Sequence, residues 1–128
     1  MPSTVKPSDQ PHPDLLLSLA TLRAKLEEQR QFRTEQIAAL TAPVATPVVP
    51  GMRVDNARDQ VSVALLSGAR QALADIDAAL YRMLVGRYGD CQNCGSGIEL
   101  QRLYAIPQTA LCADCHRAAG RKEAGRGA

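Results

Sequence analysis

Four cysteines constrain this chain more than any other feature. Cys91-Gln92-Asn93-Cys94 and Cys112-Ala113-Asp114-Cys115 form two C-x-x-C pairs with 17 residues between them. A two-residue spacing lets one tight turn aim both sulfurs at a common point, and two such turns complete a tetrahedron. Gly95 follows the first pair directly, where a knuckle turns through a positive φ that glycine adopts at least cost. The spacing predicts one zinc ion held by Cys91, Cys94, Cys112 and Cys115. Four protein ligands leave no position for water or substrate, so the expected role of the ion is structural. The competing reading of C-x-x-C is a redox dithiol. Paired spacing in a reducing compartment favours the metal. His116 is expected to be exposed, opening a short helix after the last ligand.

Upstream of the cysteines the pattern is helical. Leu15, Leu19, Leu22 and Leu26 recur at spacings of four, three and four, the a/d rhythm of a coiled coil. Asp14, after Pro13, is the expected N-cap. The stripe then weakens, because Gln29, Arg33 and Gln36 stand where apolar knobs are expected, and Phe32, Ile37 and Leu40 resume it in a drifted phase. The second seam has no such gap: Leu66, Ala69, Leu73, Ile76, Leu80 and Met83 alternate three and four. Between the seams, three prolines and a glycine exclude a continuous helix. The pattern predicts a mainly α fold, an antiparallel helical hairpin followed by a small C-terminal four-cysteine zinc finger. Its expected parts are a disordered leader over 1–13, a hairpin over 14–87 (helices about 14–40 and 55–85, loop 41–54), the finger over 88–118, and a flexible tail over 119–128. Gly68, inside the second helix, marks either a close helix approach or a bend.

Composition agrees with a thin seam and not a deep core: 45% of the 128 residues are hydrophobic, but only 3% are aromatic. The formal net charge of +2 is spread through mixed acids and bases, which gives no general case for binding nucleic acid. Arg23, Lys25, Arg30 and Arg33 alternate with Glu27, Glu28 and Glu35 and read as a solvated, salt-bridged face, as do Asp75 and Asp77. Arg117, Arg121, Lys122 and Arg126 read as a solvated tail. Arg87 and Arg102 are expected to hold local carbonyls, and Ile98 and Tyr104 to pack around the knuckles. No apolar run reaches the roughly 20 residues of a membrane span, and Met1 to Pro13 has no signal-peptide h-region. A cytoplasmic protein is expected. There is no Ser/His/Asp pattern and no glycine-rich phosphate loop, so an enzyme is not expected.

Spacing alone is shared with GATA-type DNA-binding fingers; the residues around the cysteines discriminate further. Gly86, Tyr88, Gly89, Cys91, Cys94, Gly95, Ile98, Arg102, Leu103, Ala105, Pro107, Ala110, Cys112 and Cys115 resemble the pattern of the DksA/TraR family of bacterial C4 zinc-finger regulators. A long helical hairpin ahead of the finger resembles the DksA branch. The resemblance implies a transcription regulator, not an enzyme, that binds RNA polymerase at the secondary channel. It further implies a hairpin tip near the active site and ppGpp as a possible participant at the polymerase interface. Sequence-specific DNA binding is not implied, and a monomer is expected. The alternatives are a nucleic-acid-binding finger with a helical dimerisation arm, or a relative that keeps the fold without tip activity.

The resemblance also implies acidic tip residues. In DksA-like proteins two aspartates, three positions apart, open the second helix; here Asp55-Asn56-Ala57-Arg58-Asp59 places the acids four apart, with Arg58 where the second would stand. Four-residue spacing still puts both carboxylates on one helical face. Asp55 and Asp59 are therefore candidates for contacting polymerase, or else an N-cap and a dipole-favoured acid of an ordinary helix start.

Overall fold

The computed structural model describes the backbone of residues 13–42 and 56–126, and the side chains of 14–42 and 60–120. Four helices follow in order: α1 (Pro13–Thr41), α2 (Asn56–Leu84), α3 (Leu100–Ala105) and α4 (Ala113–Arg126). No strand occurs among the described residues, only an isolated antiparallel bridge between Asp90 and Gly97. α1 and α2 each hold 29 residues, roughly 44 Å of helix. They pack on one another, and α1 also touches α3.

Helix α1 begins at Pro13, which puts Asp14 inside its first turn and not ahead of it. Proline suits a first helical position because its missing N–H has no partner there anyway, and an acid in the first turn complements the helix dipole. The seam beyond Leu26 also departs from expectation. Gln29, Arg33 and Gln36 are half-buried, as is Leu40, whereas Phe32 is 60% exposed. The drift is only partial: Ile37 is half-buried beside Gln36, but Phe32 does not turn inward. The heptad 15-19-22-26-29-33-36-40 continues to the end of α1, with polar side chains as its distal knobs. Arg33 donates to Gln36 Oε1 at 2.9 Å and stacks over the Phe32 ring at 5.6 Å. A hydrogen-bonded polar pair and a long aliphatic stem can hold an inward position that apolar periodicity would reject.

Helix α2 faces α1 with Leu66, Ala69, Leu73, Ile76, Ala79, Leu80 and Met83, of which Ala69, Ile76 and Ala79 are fully buried. A Cβ on Gly68 would meet nothing within 4 Å, so this glycine serves no close helix approach. Arg30 Nε reaches across the hairpin to Asp77 at 2.7 Å, and Arg23 pairs along α1 with Glu27 at 3.1 Å. Both pairs are solvent-exposed and contribute little each, on the order of 0.5 kcal/mol. Lys25, expected on that solvated face, instead holds its ammonium over the Tyr104 ring, 5.0 Å from the centroid.

The core lies at one end. Leu22, Leu26, Ile76 and Ala79 of the hairpin form a single cluster with Tyr88, Cys91, Ile98 and Leu103 of the cysteine module. Leu15, Leu19, Leu80, Met83, Leu100 and Tyr104 pack around it. Gly89 shows how closely the parts meet. A Cβ there would fall 2.6 Å from Leu15 Cδ2, and its φ of +92° is one that side chains rarely tolerate. The first turn of α1 thus presses directly on the backbone leading into the first knuckle. The leader, the hairpin tip (including Asp55) and the last two residues lie outside the described residues.

Candidate metal centre

The descent from α2 to the cysteines is set by hydrogen bonds around Arg82. Its carbonyl accepts from Arg87 N at 2.8 Å and Tyr88 N at 3.1 Å, while Gly86 N donates to Met83 O at 3.4 Å. The 87-to-82 and 86-to-83 bonds, with Gly86 at φ +76°, form a Schellman-type helix end. The chain turns there and reaches Cys91 within five residues.

Two more contacts fasten the far side of the module to this end. Arg82 Nη2 donates to Gln108 O (3.4 Å) and Thr109 O (3.2 Å), and Tyr88 Oη donates to Pro107 O at 2.9 Å. Burial pushes the Tyr88 hydroxyl up to about 12, with the nearby Arg82 charge opposing it, and burial lowers the Arg82 guanidinium from its usual value. Arg102 Nε holds Leu111 O at 2.9 Å, the local-carbonyl role its place in the finger suggested. The Arg82 and Tyr88 contacts were not legible in the sequence: their acceptors are backbone carbonyls 19 to 27 residues away. An arginine near the end of a helix, one turn before a glycine, was the available hint.

The knuckles themselves are built by backbone. Cys91 N donates to Ser96 O (2.8 Å) and Ile98 N to Gly89 O (2.7 Å), flanking the Asp90–Gly97 bridge. Gly95, at φ +76°, returns its N–H to Cys91 O at 2.9 Å. Gln92 N reaches Ala110 O at 2.8 Å, tying the first knuckle to the loop before the second. The second knuckle is the start of α4: Cys115 N points at Cys112 Sγ (3.4 Å) and His116 N bonds Cys112 O (2.9 Å). The last ligand therefore sits inside the helix, and His116, which is exposed, follows one residue later instead of opening it. The backbone of α4 runs on to Arg126, through most of the stretch expected as a tail.

These turns bring Cys91, Cys94, Cys112 and Cys115 together, with all four sulfurs within 4.8 Å of one another. Tetrahedral zinc at about 2.3 Å from each sulfur sets the ligand atoms about 3.8 Å apart. The distance from Cys94 Sγ to Cys112 Sγ is 3.8 Å. Cys91 is buried, Cys94 exposed and the other two half-buried, so the centre has a protein-covered side and a solvent side. The electrostatics call for a cation. Burial raises the Cys91 thiol, but the backbone donors of Cys112, Cys94 and Asn93 outweigh it and bring it down to about 6. At Cys115 the Asn93 amide lowers the thiol, but the crowding thiols of Cys112, Cys94 and Cys91 push it up to about 12. Four adjacent thiolates cannot share this space without a positive ion between them, and a closed four-sulfur set fits structural zinc. His116 is not needed as a ligand. Asp59 lies in the first turn of α2, 32 residues before the first cysteine along the chain, and Asp55 lies outside the described residues.

Residues 86–119 match the prokaryotic dksA/traR C4-type zinc finger. The chain is similar in structure to transcription factor DksA2 from Pseudomonas aeruginosa, at 29% identity and a TM-score of 0.51, covering 86% of this chain and 81% of that one. It is also similar to the DnaK suppressor protein from Agrobacterium tumefaciens C58, at 25% identity and a TM-score of 0.57, covering 78% of this chain and 92% of that one. An uncharacterized protein of Aquifex aeolicus (strain VF5) is 49% identical over 43 residues, which span 34% of this chain and 30% of that relative.

Proposed function

This chain belongs to the DksA/TraR family, and on that premise we propose that it regulates transcription by binding RNA polymerase at the secondary channel. The observation that carries the proposal is the shared core: hairpin and finger form one body, and the likeness to the Pseudomonas transcription factor extends over 86% of the chain, not the finger alone. A finger evolved to read DNA has no need of a hairpin packed into its own core. In this reading the zinc end docks at the channel rim, and the hairpin carries Asp55 and Asp59 towards the polymerase active site. The factor makes and breaks no covalent bond. It works in the cytoplasm, where ppGpp can act at the same interface. Among the described residues no helix is long and apolar enough to cross a membrane.

Purified full-length protein, loaded with zinc, is mixed with core polymerase at physiological salt, with and without a competitor that occupies the secondary channel. Competitive binding is expected, with little salt-dependent capture of duplex DNA. Asp55→Asn and Asp59→Asn, together and singly, are expected to alter the transcriptional effect while leaving the fold unchanged. Capture of DNA with no polymerase binding overturns the proposal. Polymerase binding with no effect of either substitution overturns the tip assignment alone.

A further inference from the structure

Among the described residues, the Ser96 side chain hydrogen-bonds the Cys94 sulfur within the first knuckle, and the Asn93 side chain reaches across to the second. Asn93 Nδ2 lies 3.3 Å from Cys115 Sγ, bridging the first knuckle to the second. The contact differs in kind from the backbone N–H groups aimed at the sulfurs, such as Cys115 N to Cys112 Sγ within one knuckle, which any residue with an N–H at those places supplies. The Asn93 bond needs a side-chain donor of this length. Its neighbour Gln92 has the same amide chemistry, but turns it to the carbonyl of Asp90 at 3.4 Å, within its own knuckle. Asn93 is exposed, so packing does not dictate its identity.

We propose that Asn93 is a positioning residue for the zinc centre: its amide donates to the Cys115 sulfur and so latches the two knuckles around the ion. Two physical consequences follow. Four thiolates around a divalent cation carry a net charge of −2, and a hydrogen bond to a charged sulfur draws off part of that excess. Cys115 is the ligand this helps most, because it comes from the first turn of α4 and not from the bridge-and-glycine scaffold that fixes Cys91 and Cys94. The amide links the first turn of α4 to the glycine-bearing turn opposite. The contact faces solvent, which limits its strength. The inference concerns the metal centre only and stands or falls apart from the polymerase reading.

The test uses the full-length protein loaded with one equivalent of zinc, or of cobalt as a spectroscopic substitute. Zinc affinity by competition with a chromophoric chelator is expected to fall about tenfold in Asn93→Ala, the lower end of the range for outer-shell groups because of the exposure. Asn93→Asp keeps the shape but replaces the donor with a carboxylate, so it is expected to be weaker still. The sulfur-to-cobalt charge-transfer band is expected to shift in both variants, and Gln92→Ala to match the unmodified protein in all respects. An Asn93→Ala affinity within twofold of the unmodified protein overturns the proposal. Equal losses in Asn93→Ala and Asn93→Asp, with an unmoved band, overturn it too, since they assign the effect to turn conformation and not to the donated hydrogen bond.

Discussion

From Leu15 to Leu26, α1 presents leucine at every a/d position; from Gln29 to Gln36 the same register presents glutamine, arginine and glutamine. The helix opposite, α2, keeps Ala69 fully buried but exposes more apolar surface beside its seam towards the tip. Near the finger, Ile76 and Ala79 are fully buried, whereas Val61, Val63 and Leu65 towards the tip are half or more exposed. One helical hairpin thus contains two regimes. Its base shares a core with the finger and is fastened by Arg82, Tyr88 and the close fit of Leu15 on Gly89. Its distal half is held by a thinner seam and by side-chain hydrogen bonds. Apolar burial dominates stability, so the base carries most of it, and the lower-stability region is the one from which moving elements are drawn.

Substitutions that separate the two regimes test this comparison. The largest effect is expected at the base: Ile76→Ala removes a fully buried side chain from the shared core and should cost about 3 kcal/mol in urea unfolding. Gly89→Ala should cost about 2 kcal/mol, because it combines a positive φ with a clash against Leu15. The double variant with Leu15→Ala should recover the clash but not the backbone strain. A cost for Gly89→Ala below that of ordinary surface substitutions would show that α1 does not press on the finger.

Tyr88→Phe should cost about 1 kcal/mol, the net worth of its bond to Pro107 O. Its pH dependence has a definite sign. The hydroxyl titrates at 10.0 when unperturbed and at about 12 in the folded protein. The stabilisation is therefore complete below pH 10 and is lost as pH rises from there through about 12. The unmodified protein should lose stability relative to Tyr88→Phe across that window, read from denaturation midpoints of both at each pH. The smallest effect belongs to the distal half, and it is a gain: Gly68→Ala meets no neighbour and should add somewhat under 1 kcal/mol through helix propensity. A loss there would mean that the distal half is packed more tightly than its seam suggests.

Much of this architecture was legible from residue patterns. Cysteine spacing identified the four sulfurs, because a C-x-x-C turn converges through local geometry alone. The apolar seam of α2 ran without interruption, and the positions it indicated lie inward, joined by the fully buried Ala79 that it did not indicate. Where reading failed, the reason lies in what periodicity counts. It scores apolar residues, so Phe32 was taken inward and Arg33 outward, whereas Arg33 keeps the register through its stem and its bond to Gln36. Asp14 resembled a cap, but proline is already competent to open the helix. The fusion of finger and hairpin into one core was not written in either segment, because the Leu15–Gly89 and Arg82–Thr109 contacts join positions no local pattern connects. Asp55 and Asp59 bear on the tip assignment alone, and of the two only the α2 backbone at Asp59 is among the described residues.

The central claim is that the metal centre and the hairpin base are a single cooperative body. Hydrogen–deuterium exchange of the full-length protein, with bound zinc and after chelation, tests it most directly. Chelation should remove amide protection from residues 88–115, and in the same step from 15–26 and 73–84, while the distal half keeps its own lower protection. Loss confined to the finger, with the hairpin base as protected as before, would contradict the claim and make the two parts separate units.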